Sequence, residues 1–225
     1  MLRRLFLQMV PLALAVNTIG LSAIAVRADT PRPRIRLVAF GDSLTAGFGL
    51  APSEAFPVVL EQRLRALGHD IVVENAGVSG DTTSGGLARL DWAVPEGTDA
   101  VILELGANDM LTGQSHERAR TNLDRILERL KARNIDVLVA GMRASRSLGA
   151  EYADAFDRIY PELATKHGTL LYPFFLDGVA LDPRLNLPDG IHPTAEGVRV
   201  IAERILPSVE KLLTRVETRR KRTAG

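Results

Sequence analysis

The feature that most constrains this chain is a regular alternation between two apolar patterns. Short β-branched runs alternate with longer segments in which apolar residues recur every three or four positions. The first pattern predicts buried strands, and the second predicts amphipathic helices. Strands that are apolar at every position are typical of parallel sheets, because helices cover both faces of such sheets. We therefore expect an α/β protein, a three-layer α/β/α sandwich with a five-stranded parallel sheet.

Five strands and five helices are predicted between residues 35 and 213. The strands are predicted at 35–40, 71–74, 100–105, 137–140 and 169–172, and the helices at 53–68, 87–94, 118–131, 152–167 and 194–213. Pro161 predicts a break or kink within the fourth helix, because proline cannot donate the backbone hydrogen bond that continues a helix.

The first 28 residues have the pattern of a secretory signal rather than of a folded segment. Arg3 and Arg4 precede a charge-free run over residues 5–26, and the small residue Ala28 is the expected cleavage point. A retained membrane anchor is the alternative, since 22 uncharged residues could just span a bilayer. Polar residues, glycine and proline dilute the run and favour cleavage. The segment 3–8, Arg-Arg-Leu-Phe-Leu-Gln, also resembles the twin-arginine consensus. We expect an exported protein, either periplasmic or secreted.

Composition excludes several kinds of chemistry and partner. The chain has no cysteine, and its four histidines are scattered, so we expect no metal and no cofactor. Removal of residues 1–28 takes three of the 28 basic residues and none of the 27 acidic ones, which leaves a formal charge of −2 and makes nucleic acid an unexpected partner.

The sequence specifies no oligomeric state. We expect one folded domain over 29–213. The basic segment 214–225 is expected to be a disordered tail, with transient contact to membrane lipid as the alternative.

Polar and glycine residues accumulate where the predicted strands end, and in a parallel sheet those ends share one edge. Ser43 follows the first strand in Gly-Asp-Ser-Leu, Gly80 follows the second in Val-Ser-Gly-Asp, Asn108 follows the third in Leu-Gly-Ala-Asn-Asp, and Asp189 and His192 follow the fifth in Asp-Gly-Ile-His-Pro. Singly, each of these residues is commonly a cap or a turn residue. Jointly they supply a hydroxyl nucleophile, an imidazole base and a carboxylate that orients the base. A glycine N–H and an asparagine amide can stabilise an oxyanion.

These blocks, in this order, resemble those of the SGNH hydrolases, also called GDSL lipases and esterases. The resemblance extends from about residue 35 to residue 213. Further stretches at 80–82, 86–90 and 159–161 are similar to the bacterial exported branch of that superfamily, which has thioesterase, lysophospholipase and arylesterase activities. The resemblance implies a flavodoxin-like fold and an oxyanion hole that includes the Ser43 N–H group. Gly106-Ala107 stands where that branch often has two glycines, and the added methyl group is expected to narrow the site.

We therefore expect a serine hydrolase that cleaves small-molecule carboxylic esters and acyl thioesters through an acyl-enzyme. The alternatives are a deacetylase of carbohydrate or cell-wall polymers and a non-catalytic lipid-binding module. Loops 110–115 and 142–150 are expected to determine acyl chain length and leaving group. In the second loop, Arg143 and Arg146 are expected to be solvated, and contact with a lipid phosphate is the alternative.

Other polar residues near these blocks are expected to be structural. Asp42 should bind the backbone of neighbouring loops, because its side chain points away from that of Ser43 on a sharp turn. Asp109 is expected to be structural as well. His69, His116 and His167 lie on predicted helix ends or helix surfaces and are expected to be solvated or to cap helices.

Overall fold

The computed structural model describes residues 34–223, and the predicted signal sequence over residues 1–28 lies outside the described residues. The strands are β1 (Ile35–Gly41), β2 (Ile71–Gly77), β3 (Ala100–Glu104), β4 (Asp136–Ala140) and β5 (Leu170–Tyr172). The α-helices are α1 (Ser43–Ala46), α2 (Phe56–Ala66), α3 (Thr83–Ala93), α4 (Ala107–Leu111), α5 (His116–Ala132), α6 (Ala150–His167) and α7 (Ala195–Thr223). Short 3₁₀ turns lie at Pro52–Glu54 and Arg146–Leu148.

The five strands form one parallel sheet in the order β2-β1-β3-β4-β5. Helices α2 and α7 pack together, and α3, α5 and α6 pack in a row, so that the sheet lies between two helical layers. Every residue of β3 is buried, as the continuous apolar pattern of that strand requires. This arrangement confirms the predicted fold class.

The sheet order reverses at β1, and this reversal positions the functional edge. The chain passes from β1 outward to β2 and then back across to β3 on the other side of β1. Gly41, at the end of β1, is in register with both Gly77 of β2 and Glu104 of β3. The carboxyl ends of three strands therefore meet at one level, which is where open parallel sheets form their binding crevices.

The structure corrects the prediction for the C-terminal segment. Helix α7 continues to Thr223, so the disordered tail predicted over 214–225 is wrong for residues 214–223. Val216 is fully buried, and the Arg219 and Arg220 side chains form ion pairs with Asp136 and Asp99. The segment is ordered because the acidic residues at the amino ends of two strands accept its cations. These ion pairs also disfavour the lipid-contact alternative for both arginines.

Helix α6 continues from Ala150 to His167 with Pro161 inside it, so the helix does not break at this residue. The Tyr160 and Leu163 side chains are buried on either side of the proline. Packing of this helix therefore overrides the local preference of proline to interrupt it. Among residues 34–223, no helix combines the length and the apolar character that a membrane span requires.

Candidate active site

Ser43 lies where β1 passes directly into the short helix α1. Asp42 is the N-cap of this helix, and its carboxylate accepts a hydrogen bond from the Leu44 N–H group at 3.0 Å. As the first residue of α1, Ser43 has a backbone N–H that no carbonyl of the helix can accept. Gly41 permits this tight turn, because a Cβ atom there would lie 2.1 Å from the Thr45 hydroxyl oxygen.

His192 and Asp189 reach Ser43 from the loop between β5 and α7. The His192 Nε2 atom lies 3.0 Å from the Ser43 Oγ atom, and the His192 Nδ1 atom lies 2.7 Å from Asp189 Oδ2. The residues Ser43 and His192 are 149 positions apart in the chain. The structure thus brings together the serine, the imidazole and the carboxylate that the sequence singled out, in the order that proton transfer requires.

The Asp189 carboxylate also holds the backbone of its own loop. Its Oδ1 atom accepts hydrogen bonds from the N–H groups of Ile191 at 2.9 Å and His192 at 3.0 Å. These two backbone bonds and the His192 side chain lower the pKa of Asp189 to about 2. The carboxylate is therefore ionised at any pH near neutrality and can accept the Nδ1–H of the imidazole.

Phe48 contacts the imidazole and was not identified from the sequence. Its ring centroid lies 4.4 Å from that of His192, and 49% of Phe48 is exposed. The ring covers one face of the imidazole and limits the orientations that His192 can adopt. The only sequence signal was an apolar residue close to the Gly-Asp-Ser-Leu block.

Asn108 lies at the start of α4, after Gly106, whose φ of 118° few other residues adopt. Its side-chain amide donates to Asp42 Oδ2 at 3.1 Å and to the Asp81 carbonyl oxygen at 2.9 Å. Both amide hydrogens therefore already have acceptors. An oxyanion would have to share one of them with the protein.

Gly80 precedes Asp81 in the turn that is tied to Asn108. Its φ of 81° is in the left-handed region, and a Cβ atom at this position would meet no atom within 4 Å. Within residues 34–223, the Gly80 N–H group has no acceptor. The turn therefore leaves this donor free for a ligand.

Arg89 connects the elements of this edge and is a second residue whose role the sequence did not reveal. Its guanidinium donates to the Asp81 carboxylate at 2.7 Å and to the carbonyl oxygens of Ala76 and Gly41, each at 2.9 Å. The guanidinium also stacks on the Phe40 ring. Because this one guanidinium binds β1, β2 and the Gly80 turn at once, it fixes the distance between the N–H groups of Ser43 and Gly80, the two candidate backbone donors to an oxyanion.

Two buried carboxyl groups lie beneath the nucleophile. Asp42 and Glu104 are both fully buried, and one Glu104 oxygen accepts from the Asp42 N–H at 3.3 Å and from the Thr45 hydroxyl at 2.8 Å. Burial raises the pKa of Asp42 to about 6. Burial and the neighbouring Asp42 carboxyl raise the pKa of Glu104 well above its usual value. Asp42 binds the backbone of its own helix at Leu44 rather than that of a neighbouring loop, and it additionally binds the Asn108 side chain. Glu104 was overlooked, although it is the single charged residue of β3.

The remaining singled-out residues make contacts of their own. Asp109 accepts hydrogen bonds from the Thr83 N–H at 2.8 Å and from the Thr83 hydroxyl at 2.6 Å, which is a structural contact of the kind expected. His167 is nearly buried and lies 2.6 Å from an Asp124 carboxylate oxygen, so it is less solvated than the sequence suggested. In the described part of the chain, no cluster of three His, Asp or Glu side chains could hold a metal ion.

A cavity of about 660 Å³ opens beside Ser43 and His192. Its wall is mainly apolar and includes Met110, Leu111, Met142, Phe174 and Leu176. Both loops expected to determine specificity contribute to this wall, the first through Met110 and Leu111 and the second through residues 142–147. The cavity therefore offers an apolar chain a place next to the nucleophile.

Comparisons with known proteins agree with this geometry. Residues 39–200 match the model of the GDSL-like Lipase/Acylhydrolase family. The chain is 37% identical over 178 residues to "Esterase TesA" of Pseudomonas aeruginosa, covering 79% of this chain and 89% of that protein. It is 35% identical over 190 residues to "Thioesterase 1/protease 1/lysophospholipase L1" of Escherichia coli K12, covering 84% of this chain and 87% of that protein. The crystal structure of AlinE4, an SGNH-hydrolase family esterase, superposes with a TM-score of 0.68 at 46% identity, covering 80% of this chain and 97% of that chain.

Proposed function

Because this chain belongs to the GDSL-like lipase/acylhydrolase family, we propose that it is a serine hydrolase that cleaves carboxylic esters and acyl thioesters through Ser43, His192 and Asp189. The observation that carries the proposal is the continuous hydrogen-bonded path from the serine hydroxyl through both imidazole nitrogens to the Asp189 carboxylate. A serine hydroxyl is nearly inert until a neighbouring base removes its proton. This path supplies the base and fixes its tautomer.

In the acylation step, the His192 Nε2 atom accepts the Ser43 proton as the serine oxygen attacks the carbonyl carbon of the substrate. The resulting imidazolium is stabilised by Asp189, which stays ionised. Collapse of the tetrahedral intermediate breaks the ester or thioester bond, and His192 returns the proton to the departing alcohol or thiol. Water then attacks the acyl-enzyme by the same sequence of proton transfers and releases the carboxylic acid.

The oxyanion of both intermediates would receive hydrogen bonds from the N–H groups of Ser43 and Gly80 and from the Asn108 amide. The Gly80 donor is free, whereas the Asn108 amide is already oriented by two acceptors. Orientation before the reaction is favourable, because the donor then needs no reorganisation when charge develops on the oxygen.

The apolar wall of the cavity favours an acyl chain as the group bound next to Ser43. This wall disfavours a carbohydrate or cell-wall deacetylase, since sugar hydroxyl groups would lose hydrogen bonds to water there. The substrate class is therefore small-molecule esters and thioesters with an apolar acyl group. The non-catalytic alternative conflicts with the intact hydrogen-bonded path, which a purely binding module would not need.

The enzyme is further proposed to act outside the cytoplasm, on the basis of residues 1–28. Arginines followed by a charge-free run and a small residue are the features that export systems recognise. The twin-arginine route is proposed from the segment 3–8.

Covalent labelling tests the proposal. A fluorophosphonate should add to the wild-type protein once, at Ser43, as measured by intact mass and peptide mapping, and should abolish hydrolysis of p-nitrophenyl esters. Ser43→Ala should lose both labelling and turnover. The exposed Ser53 offers a matched control, and Ser53→Ala should behave as wild type. Labelling at another residue, or turnover by folded Ser43→Ala, would reject the proposal. A panel from acetate to palmitate, run beside acyl-CoA, would then define the acyl preference.

A further inference from the structure

Arg143 lines the same cavity as Ser43 and has a fixed backbone. It follows β4, where the Gly141 N–H donates to the Tyr172 carbonyl at 2.8 Å and the Ala144 N–H donates to the Asp157 carboxylate at 2.8 Å. These bonds lie on both sides of Arg143 in the chain. The position from which its side chain extends is therefore set by the sheet and by α6.

The Arg143 guanidinium lies over the ring of Phe174, with its central carbon 5.0 Å from the ring centroid. Phe174 also lines the cavity. A cation–π contact with this ring takes up none of the hydrogen-bond acceptors that the guanidinium N–H groups can bind elsewhere, so these donors remain available to a ligand. These donors are arranged as a fork that matches two oxygens of a carboxylate or phosphate.

No carboxylate in the described part of the chain neutralises this cation. Arg146, the other arginine of the cavity wall, is held by Asp154 at 2.8 Å and Asp157 at 2.7 Å. Within residues 34–223 the Arg143 side chain makes no ion pair and no hydrogen bond, and its guanidinium makes a cation–π contact with the Phe174 ring. Arg143 is exposed, as expected from the sequence, and it therefore presents its charge at the solvent-accessible part of the cavity wall, where it can attract an anionic ligand.

We propose that Arg143 forms an anion subsite that selects ester substrates carrying a carboxylate or phosphate group in addition to their apolar acyl chain. The inference rests on the proposed ester hydrolysis at Ser43. The anion could belong to the leaving group, as in an ester with a phosphate or carboxylate on its alcohol portion. It could equally belong to the far end of the acyl chain. Both sources present the same two-oxygen geometry to the guanidinium.

Three esters of equal acyl length separate these sources. The neutral substrate is 2-nitrophenyl octanoate. In 4-nitro-3-(octanoyloxy)benzoate the leaving group carries a carboxylate, and in the mono-2-nitrophenyl ester of octanedioic acid the acyl chain carries it. The values of kcat and KM are measured for the wild type, for Arg143→Gln and Arg143→Lys, and for the control Arg125→Gln, which replaces an exposed arginine of α5 that does not line the cavity. Thermal melts verify folding.

For Arg143→Gln we expect kcat/KM to fall about ten- to a hundredfold for at least one anionic ester, mainly through KM. Hydrolysis of the neutral ester should stay within about twofold of wild type. Arg143→Lys should restore only part of the preference, because an ammonium lacks the planar fork. Arg125→Gln should retain the wild-type preference for the anionic ester, and added salt should weaken that preference.

If kcat/KM of Arg143→Gln falls for only one anionic ester, that ester shows whether the anion belongs to the leaving group or to the acyl chain. A fall for both anionic esters supports a subsite that accepts either kind of substrate. Equal losses for all three esters in a folded Arg143→Gln protein would overturn the inference, since they would indicate a packing role. Unchanged values would overturn it as well. Failure of the wild type to hydrolyse any of the three esters would instead reject the proposed function, so the two outcomes are distinct.

Discussion

Asp42→Asn is the most informative single substitution, because Asp42 connects the nucleophile turn to Asn108. One carboxylate oxygen accepts from the Leu44 N–H at 3.0 Å, and the other accepts from the Asn108 amide at 3.1 Å. Asparagine can keep the first bond through its own carbonyl oxygen. Its amide nitrogen would then face the amide nitrogen of Asn108, so that two donors oppose each other in a buried site.

The effect on stability depends on pH. Burial raises the pKa of Asp42 from 3.8 to about 6, so the folded protein takes up a proton between about pH 4 and pH 6 that the unfolded chain does not. The free energy of unfolding of the wild type should therefore fall as the pH rises through this window, by on the order of 2 kcal/mol for the interacting Asp42 and Glu104 carboxyls. The asparagine variant lacks the part of this titration that belongs to Asp42. Its mismatched donors should cost about 1 to 3 kcal/mol at every pH. The variant should thus have a clearly lower free energy of unfolding than the wild type at low pH. At pH 8 the ionised Asp42 destabilises the wild type by a similar amount, so the two proteins should then be nearly equally stable.

The effect on catalysis follows from the Asn108 amide, which loses one of its two acceptors. We expect kcat at pH 8 to fall by about ten- to a hundredfold, because a reoriented amide no longer points at the oxyanion. The pH is chosen so that stability is nearly matched and unfolding cannot explain the loss.

Urea denaturation from pH 4.5 to pH 8 and steady-state kinetics with one p-nitrophenyl ester measure both effects. Asp109→Asn is the matched control, since it removes a buried carboxylate that binds Thr83 and not the Asn108 amide. This control should lower stability and leave kcat near the wild-type value. A stability difference between wild type and Asp42→Asn that does not change with pH would refute the electrostatic reasoning. Normal kcat in Asp42→Asn would refute the proposed link to Asn108.

Four further outcomes are expected. Asp189→Asn should lower kcat by about four orders of magnitude with little change in the thermal melt, because the amide imposes the wrong imidazole tautomer, and a loss of folding instead would assign Asp189 a structural role. Asn108→Ala should lower kcat by roughly a hundred- to a thousandfold with little change in KM, whereas near-normal turnover in the folded variant would remove this amide from the oxyanion hole. Arg219→Gln should lower the free energy of unfolding by up to about 1 kcal/mol in urea titrations through loss of its half-buried ion pair, and an unchanged value would mean that this ion pair contributes no stability. Replacement of Arg3 and Arg4 by lysine should block export, which cell fractionation measures, and normal secretion would reject the twin-arginine route.

Local patterns were sufficient for the sheet and for the chemistry at its edge. Each strand contains a short apolar run and each of the longer helices has its own periodicity, so these elements could be predicted from neighbouring residues alone. The helices α1 and α4, of four and five residues, are too short to show such a pattern and were not predicted. The alternation of strands and helices then restricts the connections to parallel, right-handed crossovers, which brings the strand ends together. The same rule allowed Ser43 and His192 to be paired from sequence, although 149 positions separate them.

Contacts between distant residues were decided only by the tertiary structure. Glu104 binds Asp42 across 62 positions of the chain, and Arg89 binds Gly41 across 48 positions. No local sequence pattern could reveal either contact. The end of α7 is a similar case, because the Arg220 side chain is ordered by Asp99, 121 positions earlier. The spacing of apolar residues along a segment shows which side of the helix or strand is apolar and therefore faces the core. The free energy of a buried charge depends instead on which partner the packed chain brings within hydrogen-bonding distance, and only the folded structure determines that partner.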